Sequence, residues 1–556
     1  MCYDKPLRKC QSGASGKTGG WLAEGIFLWH DLCIRIVLAQ AEINRSAQHT
    51  LEKNSPLTGI RHALEGSMKV AFIGNTCNQA YANIKAFRPY GVEGTLYYDL
   101  AGHMQTFPES EDPEVAVNRP AWIKTFNSRK QNLWAPPPQG LLEELRGHDV
   151  IHCEGGYLPW AQATGKPYVW WACGGDAQHY PFVSGWLWLG LPLDAAFERT
   201  VLIRRAIASA NQINLGQWLP VGLDFEHLLL TYNLKSKFQR EILVIDTETF
   251  SPRADGPSVN ELLARNGLAQ TAEGLVIFNP TRIMFTPKST YNYGSDILLR
   301  ILYVVKKMNR KFTLIVTRKG NVDEPEFEKM IHALGLSENI IWIPPQKRAD
   351  LIDWYRASDL VANDFGFGGI GSISIESMAC GTPLLTVIKT AYDDPTFEIP
   401  DVATSYPPPF FSAHSEEEAI KNIVLCSSCP EAVKEKGRAS RQWVMENCSA
   451  EAIAPRYRAM YQRAIDNFPI SEQALLSLPV NEEEIRLRLL ECEGPPQKLQ
   501  LLVERLTQSP ESGIIVEHLV GVLEEMGEAA LARKLHSTAW KLRIDVHPDV
   551  AARYNS

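Results

Sequence analysis

Long apolar runs are missing from this sequence of 556 residues. A helix that spans a bilayer needs about 20 consecutive apolar residues, and the nearest candidate, residues 26–41, is interrupted by His30, Asp31 and Arg35. That segment also begins too far into the chain for an ordinary signal peptide. We therefore expect a cytoplasmic protein that is not exported, and peripheral contact with a membrane stays open.

An excess of basic charge is missing as well. The chain has 56 Lys and Arg residues against 64 Asp and Glu residues, which gives a formal net charge of -8. Proteins that bind nucleic acid typically carry a basic patch that matches the phosphate backbone. The overall charge therefore favours no nucleic-acid partner. With 45% hydrophobic and 22% charged residues, the composition is that of a soluble globular protein.

A disulfide framework is also absent. The eleven cysteines are an odd number without regular spacing, which favours reduced thiols in a cytoplasm. The motif CSSC at 426–429 has no second pair of metal ligands. We interpret this motif as structural, and redox or zinc chemistry is the less favoured alternative.

From residue 68 onward, short apolar runs alternate with helical stretches, beginning with MKVAFIGN. This alternation predicts parallel sheets with helices on both faces, which is an α/β fold. The length allows about three domains. We expect an N-terminal appendage at 1–67, a Rossmann-like domain at 68–245 and a second one at 246–466. The predicted strands lie in the runs 68–75, 96–100, 149–153, 166–176, 275–282, 312–321, 339–345, 359–365 and 382–387.

A glycine-rich stretch, GGIGSISIESMACGTPLL at 368–385, runs into a helix of small residues that carries one carboxylate, Glu376. Free backbone N–H groups at a helix start attract phosphate, and a carboxylate accepts protons from ribose hydroxyls. A bound nucleotide would use both features. A buried turn between a helix and a strand is an equally good interpretation of this stretch alone.

Two cations favour the nucleotide. Arg282 follows the predicted strand LVIFNPT, and Lys288 lies six residues further on. Because the carboxyl ends of parallel strands line one crevice, both cations can flank the same phosphates there. Together with the glycine turn and Glu376, they predict a diphosphate clamp, a phosphate-binding helix start and a ribose acceptor.

The order of these motifs resembles that of the GT-B glycosyltransferases of family 4. The strongest likeness is ESMACGTP at 376–383, which is similar to E-A-M-A-x-G-x-P of that family, and the resemblance spans about residues 68–466. It implies a GT-B fold of two facing Rossmann-like domains, the first for an acceptor and the second for a nucleotide-diphospho-sugar donor. The donor is a co-substrate, and the family works without a bound metal.

The resemblance also implies residue roles. Arg282 and Lys288 would hold the donor diphosphate. Gly371 and Ser372 would offer it backbone N–H groups, and Glu376, as a catalytic residue, would bind the ribose. These groups would stabilise the departing nucleoside diphosphate, which needs charge neutralisation more than protonation. Enzymes of this family retain the anomeric configuration, and no protein nucleophile is evident in this chain.

The chain departs from the family pattern at the paired acids. The family spaces them as E-x7-E, but Gly368 stands where the first acid belongs. Asp364 is the nearest substitute for that acid. Alternatively, the backbone N–H groups of Gly368, Gly369 and Ile370 contact the sugar.

A second departure lies in the first domain, where the family often has H-G-x-D and this chain has CGGD at 173–176. A thiol does not replace a neutral imidazole as a hydrogen-bonding partner. His103 and His179 are alternatives, although each is more often a surface or packing histidine. Asp176 is the better candidate for a catalytic contact with the donor sugar or the acceptor.

The turn that ends the first predicted strand contributes two further candidates. Gly74 and Asn75 would lie near the donor or the acceptor, as substrate-binding residues. Five tryptophans that follow in the first domain offer flat faces on which a sugar can stack, although core packing explains most of them better. They are Trp160, Trp170, Trp171, Trp186 and Trp188.

The segment 467–556 is predicted to be a helical appendage. It has apolar residues at helical spacing and a G-x-x-x-x-A step like that of a tetratricopeptide hairpin. Fewer than three repeat units are visible, so a free-standing array is not expected. The appendage either binds a protein partner or simply caps the fold.

The sequence therefore predicts a retaining, metal-independent glycosyltransferase that moves a sugar from a nucleotide-diphospho-sugar to a glycan or glycoconjugate. The alternative is a non-catalytic GT-B protein that binds nucleotide or glycan and acts as a scaffold through its C-terminal helices. Turnover of a sugar nucleotide separates the two.

Overall fold

The computed structural model describes most of the chain from Gly66 onward, and the residues from there on form one compact unit. The described residues are 66–102, 106–172, 174–215, 225, 228–230, 232, 234–287, 292–366, 370–387, 408–469 and 480–547. Several predictions concern residues outside these ranges: the appendage up to residue 65, and the roles of His103, Cys173, Lys288, Gly368 and Gly369.

The first sheet has seven parallel strands in the order β3-β2-β1-β4-β5-β6-β7. This order, with the first strand at the centre and a crossover beside it, is that of a Rossmann sheet. The strands are β1 (Met68–Ile73), β2 (Val92–Asp99), β3 (Ile123–Phe126), β4 (Val150–Glu154), β5 (Tyr168–Ala172), β6 (Gln212–Leu215) and β7 (Phe238–Gln239).

The second sheet repeats the same order with six parallel strands, β10-β9-β8-β11-β12-β13. Every residue of the strand Phe312–Thr317 is buried, as expected where helices cover both faces of a parallel sheet. The strands are β8 (Leu275–Asn279), β9 (Phe312–Thr317), β10 (Ile340–Ile343), β11 (Leu360–Ala362), β12 (Leu384–Val387) and β13 (Phe411–Ala413).

Helices connect the strands of both sheets. Local capping marks some of their starts; Ser258 and Glu261 form a reciprocal capping box at the first helix of the second domain. The helices of the first domain are α1 (Gln79–Phe87), α2 (Glu114–Val117), α3 (Gln139–Arg146), α4 (Leu158–Ala163), α5 (Gly175–Gln178), α6 (Val183–Trp188) and α7 (Leu193–Ala208). Those of the second are α8 (Val259–Arg265), α9 (Ser295–Lys307), α10 (Glu324–Ala333), α11 (Arg348–Ala357), α12 (Ser372–Ala379), α13 (Glu416–Ser428) and α14 (Pro430–Asn447).

The next helix, α15 (Ala450–Asp466), returns to the first sheet and packs against β4, β5 and β6. Its Tyr461 hydroxyl lies 3.0 Å from Nδ1 of His152, and Asn214 Nδ2 donates to the Tyr457 hydroxyl at 3.1 Å. Burial lowers the pKa of His152 to about 3, so this histidine is a neutral packing residue. This helix therefore crosses back from the second domain to the first.

The C-terminal segment is helical, as predicted, and its helices are α16 (Glu482–Leu490), α17 (Pro495–Gln508), α18 (Gly513–Glu525) and α19 (Ala529–Lys541). They share one apolar core with α6 and α7, to which Phe197 and Leu519 contribute. The buried Arg204 guanidinium joins the two parts: Nη1 donates to the Gln508 carbonyl at 2.9 Å and Nε to the Pro181 carbonyl at 2.7 Å. The likeness to a tetratricopeptide hairpin stays a prediction.

Candidate functional site

In both sheets, the strand order reverses beside the first strand of the sheet. An open α/β sheet forms its ligand crevice at this switch point. In the first sheet, the switch point lies between β1 and β4, at Gly74 and Glu154. In the second sheet it lies between β8 and β11, at Arg282 and Asp364. Gly74, Arg282 and Asp364 therefore lie beside the switch points of the two sheets.

Glu376 lies on α12 and is almost fully buried at 3% exposure. Its Oε1 accepts from Arg348 Nε at 3.0 Å and pairs with Arg348 Nη2 at 2.9 Å, and its Oε2 accepts from the Tyr355 hydroxyl at 2.9 Å. A carboxylate oxygen has more than one acceptor position, so Oε2 keeps capacity for a ligand hydroxyl. The contacts with Arg348 and Tyr355 thus fix the orientation of the Glu376 carboxylate.

The start of α12 has no side-chain cap, and no acidic residue stands in its first turn. Gly371 is the N-cap residue and Ser372 the first helical residue, and a Cβ added to Gly371 would meet open space. Uncapped N–H groups at a helix start form an anion site. Ile370 contributes only its backbone to this region, because its side chain is buried in the core.

Arg282 follows β8 and is exposed at the crevice, where its Nη2 donates to the Tyr293 hydroxyl at 3.0 Å. A second cation, Lys319, follows the carboxyl end of the neighbouring β9. Burial and then the nearby positive charge of Arg282 lower the pKa of Lys319 to about 8. Neither cation has an ion-pair partner among the residues that the structure describes. These two neighbouring cations make this end of the sheet a candidate site for an anionic ligand.

Lys319 was missed by the sequence interpretation, although a signal for it existed. It belongs to the run FTLIVTRKGN, which ends at the same edge of the sheet as Arg282. The rule that strand ends line the crevice applies equally to both residues.

Two carboxylates at the start of α10 hold the loops that carry these cations. Asp323 accepts from the backbone N–H groups of Phe285 and Thr286 at 2.7 and 2.9 Å. The next residue, Glu324, accepts from the Lys319 backbone N–H at 2.7 Å. Two buried carboxylates therefore fix the backbone on both sides of the anion site.

Asp364, the proposed substitute for the missing acid, lies after β11 with a left-handed φ of 52°. It is buried, and its negative charge raises the pKa of Tyr293, after the larger effect of burial. Strained backbone at a non-glycine residue is typical of functional sites. The backbone beside it is tightly packed, since a Cβ on Gly294 would lie 2.6 Å from the Gly366 nitrogen.

In the first domain, the turn after β1 is built around Glu154. The Thr76 backbone N–H donates to Glu154 Oε2 at 2.7 Å, and a Cβ on Gly74 would lie 2.9 Å from the same oxygen. Gly74 also has a φ of 101°, which favours glycine. Asn75 is buried, and its Nδ2 donates to Asn78 Oδ1 at 2.7 Å. The sequence interpretation missed Glu154, since a single acid after a strand is common.

Asp176 lies on the short helix α5 and is buried beside Gly155, where a Cβ would be 3.4 Å from the Asp176 Cβ. Its charge raises the pKa of Glu154, after the larger effect of burial. Thus Asp176 belongs to the crevice of the first domain, next to the Gly74 turn. His179 lies further along the chain, and its ring stacks on Trp188 with 4.8 Å between centroids.

Cys77 marks the point where the two crevices meet. Its carbonyl accepts from Arg348 Nη1 of the second domain at 3.1 Å, and its thiol is exposed. Protein nevertheless surrounds the thiol closely enough that burial raises its pKa, while Arg348 and Arg282 act in the opposite direction. The functional groups of both sheets therefore lie in one connected region.

Most of the five tryptophans are core residues, as expected. Trp160, Trp170, Trp171 and Trp186 are buried, whereas Trp188 is 50% exposed. Only Trp188 of this set keeps a face available for stacking.

The described residues add three observations on chemistry and location. Their cysteines are free thiols, including Cys426 and Cys429 of the CSSC motif. No group of three or more His, Cys, Asp or Glu side chains among them is placed to hold a metal ion. None of the helices within the described ranges has the length and apolar character to cross a membrane.

Comparison with protein families and curated proteins gives short matches. Residues 278–394 match the family model for glycosyl transferases group 1. A stretch of 141 residues is 30% identical to the D-inositol 3-phosphate glycosyltransferase of Xylanimonas cellulosilytica and covers 25% of this chain and 32% of that protein. A shorter stretch of 52 residues is 46% identical to the enzyme of the same name from Mycobacterium sp. strain KMS, over 9% and 12% of the two chains. The chain thus spans at most about a third of these curated relatives.

Solved structures resemble the chain over a longer range. The Anabaena protein HepE, solved with UDP and glucose, is 14% identical, with a TM-score of 0.49 over 71% of this chain and 99% of that one. Sucrose-phosphate synthase from Thermosynechococcus elongatus is 14% identical, with a TM-score of 0.48 over 72% and 99%. At these TM-scores, the GT-B assignment depends on the two Rossmann-like sheets themselves.

Proposed function

We propose that the protein is a glycosyltransferase that moves a sugar from a nucleotide-diphospho-sugar to a glycan or glycoconjugate acceptor. The observation that carries this proposal is the pair of cations without an ion-pair partner among the described residues, Arg282 and Lys319, at the crevice of the second sheet. The uncapped start of α12 and Glu376 lie in the same segment, which matches the glycosyl transferases group 1 model.

The donor diphosphate is assigned to this group of cations. As the bond between sugar and phosphate breaks, negative charge develops on the leaving diphosphate, and fixed cations and helix N–H groups stabilise it. Lys288, predicted for the same task, would add a third cation. Glu376 would accept a ribose hydroxyl on Oε2, while Arg348 occupies Oε1. The residues from Gly368 to Ile370 would contact the sugar through their backbone.

The acceptor is assigned to the crevice of the first sheet. Asp176, Gly74 and Asn75 would contact it there, and Glu154 supports the turn by accepting from the Thr76 N–H. Retention of configuration and independence from metal ions belong to this proposal, and the resemblance of the motifs supports them. A cytoplasmic location belongs to it as well, and the irregularly spaced cysteines support that location. Asp176 would contact the acceptor or the donor sugar.

The alternative function, a scaffold that acts through the C-terminal helices, receives less support. The apolar faces of α17, α18 and α19 share a core with the first domain, so the described part of these faces is occupied within the chain. A docking surface for a partner would have to use other parts of the helices.

Release of nucleoside diphosphate tests the proposal. The purified chain is incubated with UDP-, GDP- and ADP-sugars, with and without an oligosaccharide acceptor, and the released diphosphate is measured. We expect one base to support release, and Glu376→Gln to reduce it strongly. Glu416→Gln, which changes an exposed carboxylate of the same domain, is the matched control. Binding of a diphosphate without any release would instead support the non-catalytic alternative.

A further inference from the structure

Arg348, at the start of α11, connects the two domains through one guanidinium. Nη1 donates to Glu111 Oε2 at 2.7 Å and to the Cys77 carbonyl at 3.1 Å, both in the first domain. Nε and Nη2 contact Glu376 Oε1 of the second domain at 3.0 and 2.9 Å. The planar fork of arginine suits such contacts in two directions, and lysine could not make both sets.

The three charged side chains are enclosed. The exposed fractions of the Arg348, Glu111 and Glu376 side chains are 12%, 10% and 4%. Charge-assisted hydrogen bonds in such surroundings are strong, and removing the cation would leave two enclosed carboxylates near each other. The contact between the domains therefore depends more strongly on Arg348 than it would depend on an exposed ion pair.

The far end of the bridge is tied to the turn that lines the acceptor side. Asn78 Nδ2 donates to Glu111 Oε2 at 2.8 Å, and Asn78 also accepts from Asn75. Cys77 and Asn78 both have left-handed backbone conformations, with φ of 52° and 59°. A non-glycine turn of this kind persists only where its surroundings hold it. Arg348 and Glu111 are part of those surroundings.

We propose that Arg348 is a positioning residue that fixes the Glu376 carboxylate for the donor ribose and, through Glu111 and Cys77, holds the acceptor-side turn closed over the donor site. This inference rests on the proposed function for the role of Glu376. The bridge itself is independent of it. Disrupting the arm to Glu111 opens the crevice and leaves the arm to Glu376 in place.

The test measures hydrogen–deuterium exchange of the turn at residues 76–78 by mass spectrometry, on the full chain without ligand, because the Thr76 and Asn78 N–H groups are hydrogen-bonded in the closed turn. Glu111→Gln breaks the charged arm, and Arg348→Met removes the whole bridge. Glu109→Gln is the matched control, because Glu109 lies two residues from Glu111 and pairs instead with Arg119. The loss of a charge-assisted hydrogen bond corresponds to a factor of about ten in the open population. We expect these amides to exchange about tenfold faster in both bridge variants than in the control.

The amides of the buried strands β1 and β4 report unfolding in the same samples. If they exchange together with the turn in Arg348→Met, that variant has unfolded and Glu111→Gln decides the outcome. Exchange of the turn at the wild-type rate in a folded Glu111→Gln protein would overturn the bridge.

A second arm repeats the exchange measurement with UDP, GDP or ADP. We expect the diphosphate that binds to slow exchange of the turn in the wild type and to slow it less in Glu111→Gln. If the wild type binds none of the three, the proposed function and the donor half of this inference both fail. Unchanged exchange in the bridge variants, in contrast, contradicts the bridge and leaves the proposed function intact.

Discussion

Replacing Glu154 by glutamine should make the stability of the protein less dependent on pH. Glu154 is 2% exposed, and its Oε1 has no hydrogen-bonding partner within the described part of the chain. Burial, and to a lesser degree the charge of Asp176, raise its pKa from 4.5 to about 7, although the Thr76 N–H acts against this. The folded protein therefore holds a proton on Glu154 at pH values where the unfolded chain has lost it.

The sign and size of the effect follow from linkage. A pKa raised in the folded state means that stability falls as pH rises from 4.5 to about 7 and then levels off. At pH values above 7, a shift of this size lowers the free energy of unfolding by about 3 kcal/mol. Glutamine has no charge to bury, and its carbonyl oxygen can still accept from Thr76. The advantage of Glu154→Gln over the wild type should grow by about 2 kcal/mol between pH 5 and pH 8.5.

Thermal unfolding at the two pH values measures this difference. Glu154 belongs to the first domain, residues 68–245. For a domain of that size, about 2 kcal/mol corresponds to a relative rise of roughly 4 to 8 °C in the melting temperature of Glu154→Gln at pH 8.5. Glu93→Gln, which changes an exposed carboxylate on β2, should follow the wild type. If Glu154→Gln also follows the wild type at both pH values, Glu154 is ionised in the fold and the reasoning is wrong.

Three further predictions concern the loops of the site. Because the pKa of Lys319 is lowered to about 8, its positive charge is lost as pH rises through 8, so affinity for a nucleoside diphosphate should fall between pH 7 and 9 and Lys319→Ala should flatten that dependence in calorimetry. Asp323→Ala removes the acceptor for two backbone N–H groups and should cost about 1–3 kcal/mol in chemical denaturation; wild-type stability would contradict the loop support. Gly74→Ala combines a φ of 101° with a Cβ 2.9 Å from Glu154 and should cost about 1–3 kcal/mol, whereas Gly165→Ala, with a φ of 65° in open space, should cost less, and equal losses would contradict the role of the contact.

Much of the fold could be predicted because parallel strands are buried on both faces and therefore form continuous apolar runs. The strands β1, β5, β8 and β9 lie within the runs that predict them, and β4 extends one residue beyond its run. In contrast, β6 has the sequence QINL and was not predicted. Its Asn214 is buried, donates to Tyr457 and accepts from the Glu241 backbone N–H at 3.0 Å. Such polar residues enter a core only through contacts with distant segments, which local patterns do not reveal.

The candidate site divides in the same way. Arg282 and Glu376 could be predicted because each follows a local signal, a strand end or a helix start. The link from Arg348 to Glu111 joins residues that are 237 positions apart, and no local sequence pattern predicts it. Glu154 likewise looks ordinary in the sequence, and its unusual pKa arises only from its burial in the folded protein.

Calorimetric titration with UDP, GDP and ADP tests the central claim most directly, namely that the crevice of the second sheet binds a nucleoside diphosphate. Lys319→Ala is compared with Lys311→Ala, because these lysines flank opposite ends of β9 and Lys311 is 80% exposed in its side chain. We predict that one diphosphate binds the wild type and Lys311→Ala equally, and that Lys319→Ala and Arg282→Ala each weaken binding about tenfold or more. Equal affinity in all four proteins, or no binding at millimolar concentration, would contradict the account.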